Sequence, residues 1–131
     1  MEKNKNFNKL SEENYVKNSE NVIKKLREPN SRGKTDSQIS TSKIRNLLSN
    51  ISEIYNYITS VKDPKDLNSK VQYLKIQFVY EAGRDKVTRK FIDEAKILDH
   101  LSNINGSKEE FLLFGKYMEA LVAYHRYYGG E

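Results

Sequence analysis

The residues best suited to chemistry in this sequence are lysines and arginines near two predicted helix starts. Lys43 and Arg45 lie in the first turns of one helix, and a second basic group follows Gly83. The second group consists of Arg84, Lys86, Arg89 and Lys90. Cations at a helix start oppose the helix macrodipole, at a cost of about 0.3–1 kcal/mol each. Free backbone N–H groups there bind phosphate, and Lys or Arg strengthens such a site. Two clusters favour a phosphate-binding surface, although a solvated charged face is the simpler explanation of either one alone.

Catalytic chemistry is poorly supported. His100 and His125 do not have the spacing of metal ligands, and the chain lacks a glycine-rich phosphate loop or a nucleophile motif. The absence of Cys removes thiolate nucleophiles, thiolate metal sites and disulfides. We therefore predict a protein that is not an enzyme and has no metal site and no cofactor. His125 lies on an apolar helix stripe, which favours a hydrogen-bonded core or interface histidine over a catalytic one.

Three tyrosines near the C-terminal end offer a different kind of contact. Tyr124, Tyr127 and Tyr128 can in principle stack on unpaired bases. They lie on broad apolar stripes of the last predicted helix, so buried packing is the favoured interpretation.

Composition limits the class of protein. A chain of 131 residues is long enough for one domain with a hydrophobic core. Its 23 Lys and Arg exceed its 18 Asp and Glu by five, a balance that permits phosphate-rich partners without proving one. With no apolar run near 18 residues and no secretory leader, we expect a cytoplasmic protein without a membrane anchor.

Helical periodicity defines the first two elements that must position these residues. An amphipathic helix is predicted from about Ser11 to Arg27, and the segment Glu28 to Gln38 is interpreted as a flexible linker. Isoleucines and leucines then recur every three or four residues, which predicts a helix from about Thr41 to Ser60. Its N-cap is Ser40, Thr41 or Ser42.

The next segments are also assigned to helices. Leu67 to Ala82 alternates like a buried strand in part, but its length and Gly83 as a C-terminal stop favour a helix. Asp85 to about Lys96 and Ile97 to Ile104 follow. Asn105-Gly106 then supplies a turn into the last helix.

The last helix, Ser107 to Gly130, is the predicted spine of the fold. A capping box of Ser107 and Glu110 marks its start, and its apolar residues cover more than half of its circumference. The sequence therefore predicts an all-α fold, a compact bundle of five to six helices. We predict that residues 1–40 form an N-terminal helix plus flexible linker and that residues 41–131 form the bundle core.

Three sequence blocks resemble one family. They are SKIRNLL at Ser42 to Leu48, YEAGRD at Tyr80 to Asp85, and FLLFGKYMEALVAYHRYYGG at Phe111 to Gly130. In this order and spacing they are similar to the small helical subunit of the type III-A CRISPR–Cas interference complex, the Csm complex. The resemblance runs from about Thr41 to Gly130.

The resemblance implies a non-catalytic subunit of an antiviral ribonucleoprotein. Its copies would stack beside the backbone subunits and contact the duplex of guide RNA (crRNA) and target RNA, mainly through target backbone phosphates. Carried over by position, the RNA-binding residues are Lys43 and Arg45 in SKIR and Arg84 in AGR. Lys86, Arg89 and Lys90 are added on charge clustering alone.

Two alternatives remain open from the residues. The helix–AGRD–helix segment, with its four basic residues, is compatible with a helix-turn-helix DNA-binding regulator. The other alternative is a helical protein-interaction module whose basic balance is incidental.

Overall fold

The computed structural model describes residues 9–131, which fold into six α-helices. The helices are α1 (Tyr15–Leu26), α2 (Thr41–Ser60), α3 (Leu67–Arg84), α4 (Lys86–Glu94), α5 (Ile97–Ser102) and α6 (Lys108–Tyr127). Within this range no β-strand forms, and β-type pairing is limited to one isolated bridge between Pro29 and Thr35. The prediction of an all-α bundle is confirmed. Residues 1–8 of the predicted N-terminal segment lie outside the described residues.

The last helix is the centre of the packing, as its apolar pattern predicts. α6 contacts α1 on one side and α2 on another. The Ser107 hydroxyl oxygen caps the helix by accepting the Glu110 N–H at 3.2 Å. The second half of the predicted capping box is replaced by other contacts, because the Glu110 carboxylate pairs with Lys9 at 2.6 Å. The N–H of Ser107 donates instead to the carbonyl oxygen of Ile104.

One continuous core joins all six helices. Its fully buried members include aromatic rings from α3, α4 and α6 and branched side chains from every helix. Burying one such side chain stabilises the fold by about 1.5–3 kcal/mol. The residues with the least exposure include Ile23, Ile44, Ile51, Ile58, Leu74, Phe78, Phe91, Ile97, Phe111, Phe114, Met118 and Leu121.

α2 begins and ends where the sequence predicts. Ser40 is its N-cap, with extended backbone and a hydroxyl oxygen that accepts the Lys43 N–H at 3.1 Å. Of the three candidate caps, Thr41 is instead the first helical residue and Ser42 the second. This cap fixes the backbone at the point where Lys43 leaves the helix.

The segment after α2 is a helix, and the strand alternative is wrong. The helix α3 continues through Gly83 to Arg84, so the prediction that Gly83 stops it is also wrong. The stop is Asp85, whose extended backbone (φ −149°, ψ 115°) ends α3 and caps α4. The extended backbone at Asp85 ends α3, and the Asp85 carboxylate then caps α4 by accepting the N–H of Val87.

Turn residues set the remaining boundaries. Lys96 has a left-handed backbone (φ 55°) and separates α4 from α5. Asn105 (φ 49°) and Gly106 (φ 79°) form the predicted turn before α6. These positive φ values are ones that Gly and Asn adopt more readily than other residues.

α1 begins four residues later than predicted, and the segment after it folds back on the bundle. Before the helix, Ser11 and Asn14 exchange side-chain to backbone hydrogen bonds of 2.8 and 3.1 Å. After it, the Asn30 side-chain oxygen accepts the N–H groups of Arg32 and Lys34. Gln38 donates to the Leu26 carbonyl at 2.8 Å. The flexibility predicted for residues 28–38, and the division of the chain at residue 40, stay predictions.

Candidate nucleic-acid interface

The start of α2 and the end of α3 meet at an open cleft of about 500 Å³. The α2 side contributes Ser40 and Lys43, and the α3–α4 junction contributes Arg84, Asp85 and Val87. The fold therefore brings Lys43 and Arg84, one from each predicted basic cluster, to one place.

A single carboxylate joins these two cations. The Lys43 ammonium lies 2.6 Å from Oε1 of Glu81, and Nη1 of Arg84 lies 3.6 Å from Oε2 of the same side chain. The side chains of Lys43 and Glu81 are 28% and 24% exposed, whereas that of Arg84 is 56% exposed. The Lys43–Glu81 pair is therefore partly buried, whereas the Arg84 guanidinium is accessible to solvent.

Arg84 occupies a different helical position from the one predicted. It lies in the last turn of α3 rather than at the start of α4. There the macrodipole favours a cation, because the helix C-terminus carries partial negative charge. Its guanidinium carbon also lies 5.6 Å from the centre of the Tyr80 ring, within reach of a cation–π contact.

The start of α4 already has its own anion. The Asp85 carboxylate accepts the N–H of Val87 at 3.3 Å and the hydroxyl of Thr88 at 2.6 Å. The Thr88 hydrogen bond is the main reason that the pKa of Asp85 is below its usual range. Lys86 is exposed in the first turn and makes no ion pair with a described residue. The α4 start is therefore a weaker phosphate site than its basic residues alone indicate.

The other two members of the α4 cluster have carboxylate partners elsewhere. Arg89 pairs with Asp93 one turn later, at 3.5 Å. Lys90 pairs with Asp36 at 2.5 Å and so ties α4 to the segment that follows α1. The hydrogen bond from Lys90 is also the main cause of the lowered pKa of Asp36. Arg89 and Lys90 therefore do not share the Glu81 carboxylate that joins Lys43 and Arg84.

Arg45 leaves α2 two residues after Lys43 and is exposed. Residues two apart on a helix do not share a face. No carboxylate among residues 9–131 forms an ion pair with Arg45, so its charge is available to a partner.

The histidines are part of the core. His125 is 2% exposed, and its Nδ1 lies 3.0 Å from the Thr41 hydroxyl. Its Nε2 lies 2.8 Å from the Ile39 carbonyl oxygen, which can only accept, so we assign the ring proton to Nε2. Burial lowers the pKa of His125 and favours this neutral form. The prediction of a satisfied core histidine is confirmed.

The three tyrosines of the last helix have mixed roles. Tyr128 donates a 2.6 Å hydrogen bond to Glu20 of α1, and this bond is the main reason that its pKa rises to about 12. Tyr124 is partly buried beside the core, whereas Tyr127 is 78% exposed. The favoured packing role therefore fits Tyr124 and Tyr128 but not Tyr127.

Sequence reasoning missed Glu81 and Asp36, the carboxylates that organise the basic residues. Each is far along the chain from the lysine that it binds, 38 residues for Glu81 and 54 for Asp36. Local patterns do not report such pairs. Position 81 stood inside the YEAGRD block, which was the one signal near it.

Neither a helix able to span a membrane nor a cluster of metal ligands occurs in the described part of the chain. Across residues 9–131, no helix is both long and apolar enough to cross a bilayer. The same residues contain no group of three or more His, Asp or Glu side chains arranged to hold a metal ion.

Comparison with known proteins gives a consistent result over most of the chain. Residues 16–131 match the family model described as Csm2 Type III-A. A relative from Streptococcus thermophilus, named CRISPR system Cms protein Csm2, is 41% identical over 122 residues, covering 93% of this chain and 97% of the relative. The protein of the same name from Mycobacterium tuberculosis (strain CDC 1551 / Oshkosh) is 35% identical, with 88% and 92% coverage. The Enterococcus italicus protein of that name is 38% identical, covering 69% of this chain and 68% of its own length.

Proposed function

Because this chain belongs to the Csm2 Type III-A family, we propose that it is a non-catalytic small subunit of a type III-A CRISPR–Cas ribonucleoprotein in antiviral defence. In this role it binds the backbone of target RNA in the crRNA–target duplex, without reading its sequence. Its partners are the other subunits of the Csm complex, including neighbouring copies of itself.

The observation that carries the RNA proposal is the convergence of Lys43 and Arg84 at one cleft. An ammonium has three donors and a guanidinium five. One contact from each to Glu81 leaves donors for a phosphate. Arg45 and Lys86 lie nearby in sequence without internal ion pairs to the described residues, and they extend the basic surface on either side. Arg89 and Lys90 remain weaker members of the proposed site, because each would have to exchange a carboxylate for a phosphate.

Phosphate contact suits a subunit that must accept any target. Contacts with phosphate and sugar fix position but carry no sequence information, whereas guide pairing supplies the sequence. Both kinds of side chain suit phosphate oxygens. The lysine ammonium is a compact charge, and the arginine guanidinium can donate two parallel hydrogen bonds.

The helix-turn-helix alternative is disfavoured by the α3–α4 junction. Helix-turn-helix motifs join their two helices by a turn of roughly three to four residues. Here Asp85 is the single residue between α3 and α4. The cations Arg89 and Lys90 on α4 are moreover paired with carboxylates.

Titration of labelled RNA separates the proposals. We expect weak binding of single-stranded RNA with little sequence preference and a steep loss of affinity with salt. Lys43→Ala and Arg84→Ala should each weaken binding about two- to fivefold, the range of exposed charge pairs. Each should also reduce the salt slope by about one. Lys62→Ala, an exposed lysine beyond the opposite end of α2, is the matched control and should bind like the unchanged protein.

Other results would favour the alternatives. A preference of at least ~10³ for one duplex DNA site over random DNA indicates a regulator. Absence of binding at low salt, also in the assembled complex, indicates a protein-interaction module.

A further inference from the structure

Glu81 is the acceptor that the two cleft cations share. Its carboxylate uses Oε1 for Lys43 and Oε2 for Arg84, at 2.6 and 3.6 Å. The three side chains come from the first turn of α2 and the last turn of α3. The Glu81–Arg84 pair lies within one helix, whereas the Lys43–Glu81 contact depends on how the fold packs α2 against α3.

Without Glu81 between them, the charges of Lys43 and Arg84 would favour separation of the two side chains. Like charges repel, and the repulsion is stronger near a partly buried site than in bulk water. Lysine and arginine also gain rotamer freedom when they are released into solvent. Glu81 opposes both effects at Lys43, whose side chain is 28% exposed.

The charge of the trio matches one phosphodiester. Two cations and one carboxylate carry a net charge of +1, and several donors on Lys43 and Arg84 are not used by Glu81. A phosphate oxygen that contacts both cations would find them already oriented. Preorganised groups lose less entropy on binding than free side chains do.

We propose that Glu81 is a positioning residue, which holds Lys43 and Arg84 together as a two-cation clamp for one RNA phosphodiester. The inference rests on the proposed RNA binding and specifies how the cleft achieves it. It also reverses the effect expected from charge alone, since a carboxylate beside a phosphate site otherwise weakens binding.

The test is Glu81→Gln in the full-length protein, titrated with single-stranded RNA of mixed sequence. The side chain keeps its size and loses its charge, so the protein becomes more positive by one. We nevertheless expect binding to weaken about two- to fivefold, as for loss of one exposed charge pair. The salt slope should fall by about one, because one phosphate contact is lost.

Glu119→Gln is the charge-matched control. Glu119 is exposed on α6 and forms no ion pair with a described residue, and its replacement should leave RNA affinity unchanged or slightly raised. Equal or tighter binding by Glu81→Gln would overturn the proposal and would identify Glu81 as a simple electrostatic deterrent.

A purely structural tie between α2 and α3 predicts a different result. In that case Glu81→Gln lowers the melting temperature but leaves the RNA affinity of the folded protein intact, which overturns the proposal. If Glu81→Gln does not fold, Glu81→Asp keeps the charge and withdraws the carboxylate by one methylene. That variant should also bind RNA more weakly than the unchanged protein, and full affinity would count against the clamp.

A double-mutant cycle separates this inference from the proposed function. In a Lys43→Ala background, Glu81→Gln should no longer weaken RNA binding, because the pair to be positioned is gone. If Lys43→Ala and Arg84→Ala leave RNA binding intact, the proposed interface fails and the clamp fails with it. If they weaken it while Glu81→Gln does not, the clamp alone is wrong.

Discussion

His125 is held at the C-terminal end of α6 by residues far away in the sequence. Its ring lies between the Thr41 hydroxyl and the Ile39 carbonyl oxygen, at 3.0 and 2.8 Å. Gly130 packs against the same ring, and a β-carbon placed on Gly130 would lie 2.1 Å from the histidine Cε1. The requirement for glycine at position 130 is therefore one of space.

We expect Gly130→Ala to destabilise the protein by about 1–3 kcal/mol, the usual cost of overpacking. The added methyl group forces the imidazole to move and breaks its hydrogen bonds to Thr41 and Ile39. Urea unfolding followed by circular dichroism measures the effect.

The control is Gly83→Ala. Gly83 lies inside α3, and a β-carbon added there would have no neighbour within 4 Å. It should stabilise α3 by about 0.5–1 kcal/mol. Equal stability of Gly130→Ala and the unchanged protein would refute the steric argument.

The buried histidines predict a loss of stability in mild acid. Burial lowers the pKa of His100 from 6.5 to about 4. Between these pH values the unfolded chain binds a proton that the folded chain does not, so the free energy of unfolding falls as the pH drops. The shift corresponds to about 3 kcal/mol, and His125 acts in the same direction.

Thermal unfolding from pH 7 to 4.5 measures this dependence before the carboxylates dominate. Glu20 and Asp36 have lowered pKa values, mainly through hydrogen bonds from Tyr128 and Lys90. Their stabilising contributions are lost at lower pH, below about 4.5. His100→Gln should show a shallower decline between pH 6.5 and 4.5, whatever its stability at pH 7. An unchanged slope would show that His100 is not responsible.

The sequence predicted the basic half of the candidate site and missed the acidic half. Lys43 and Arg84 were identifiable because they lie near the helix boundaries predicted at Thr41 and Gly83, and because the SKIR and AGR blocks resemble the family. Glu81 was not, because its pairing with Lys43 depends on how α2 crosses α3. Periodicity describes one helix at a time and contains no crossing geometry.

At the scale of elements, the helix with the strictest apolar stripe was predicted to the residue. α2 has such a stripe, and its predicted bounds of Thr41 and Ser60 are those of the structure. α3 was ambiguous because it also carries apolar residues on the exposed side, including Ile76 and Tyr80. Gly83 misled the prediction of its end, since glycine is tolerated inside a helix at a modest cost of about 0.5–1 kcal/mol.

The predicted division at residue 40 can be tested by removing residues 1–40. α1 packs against α6 and contributes Ile23 and Leu26 to the core, and Ile39 is also buried. We expect residues 41–131 to keep helical circular dichroism but to melt at a lower temperature and less cooperatively. Ile23→Ala in the full chain is the matched control for lost α1 packing, with an expected cost of about 2–5 kcal/mol. A truncated chain that melts like the full one would show that α1 adds nothing to the bundle.

At the scale of the whole molecule, one surface does not resemble that of an isolated monomer. The outer face of α3 exposes four large apolar side chains, between 50% and 64% of each. The four residues are Tyr73, Ile76, Val79 and Tyr80. Contiguous apolar patches of this kind mark interaction sites. If neighbouring copies contact one another as proposed above, we expect them to bury this α3 face.

Ile76→Ser combined with Val79→Ser should reduce self-association without reducing monomer stability. Both side chains are at least half exposed, so the core loses little when they become polar. Sedimentation velocity across a concentration series measures association in the free protein. Tyr127→Ser is the control, because Tyr127 is 78% exposed on α6, outside the α3 face. Its association should match that of the unchanged protein.

If the double variant associates normally and is still incorporated in full number into the assembled complex, the α3 face is not the contact between copies. Normal RNA binding by the dispersed double variant would further show that the α3 face and the Lys43–Arg84 cleft act separately, although Tyr80 lies beside Arg84.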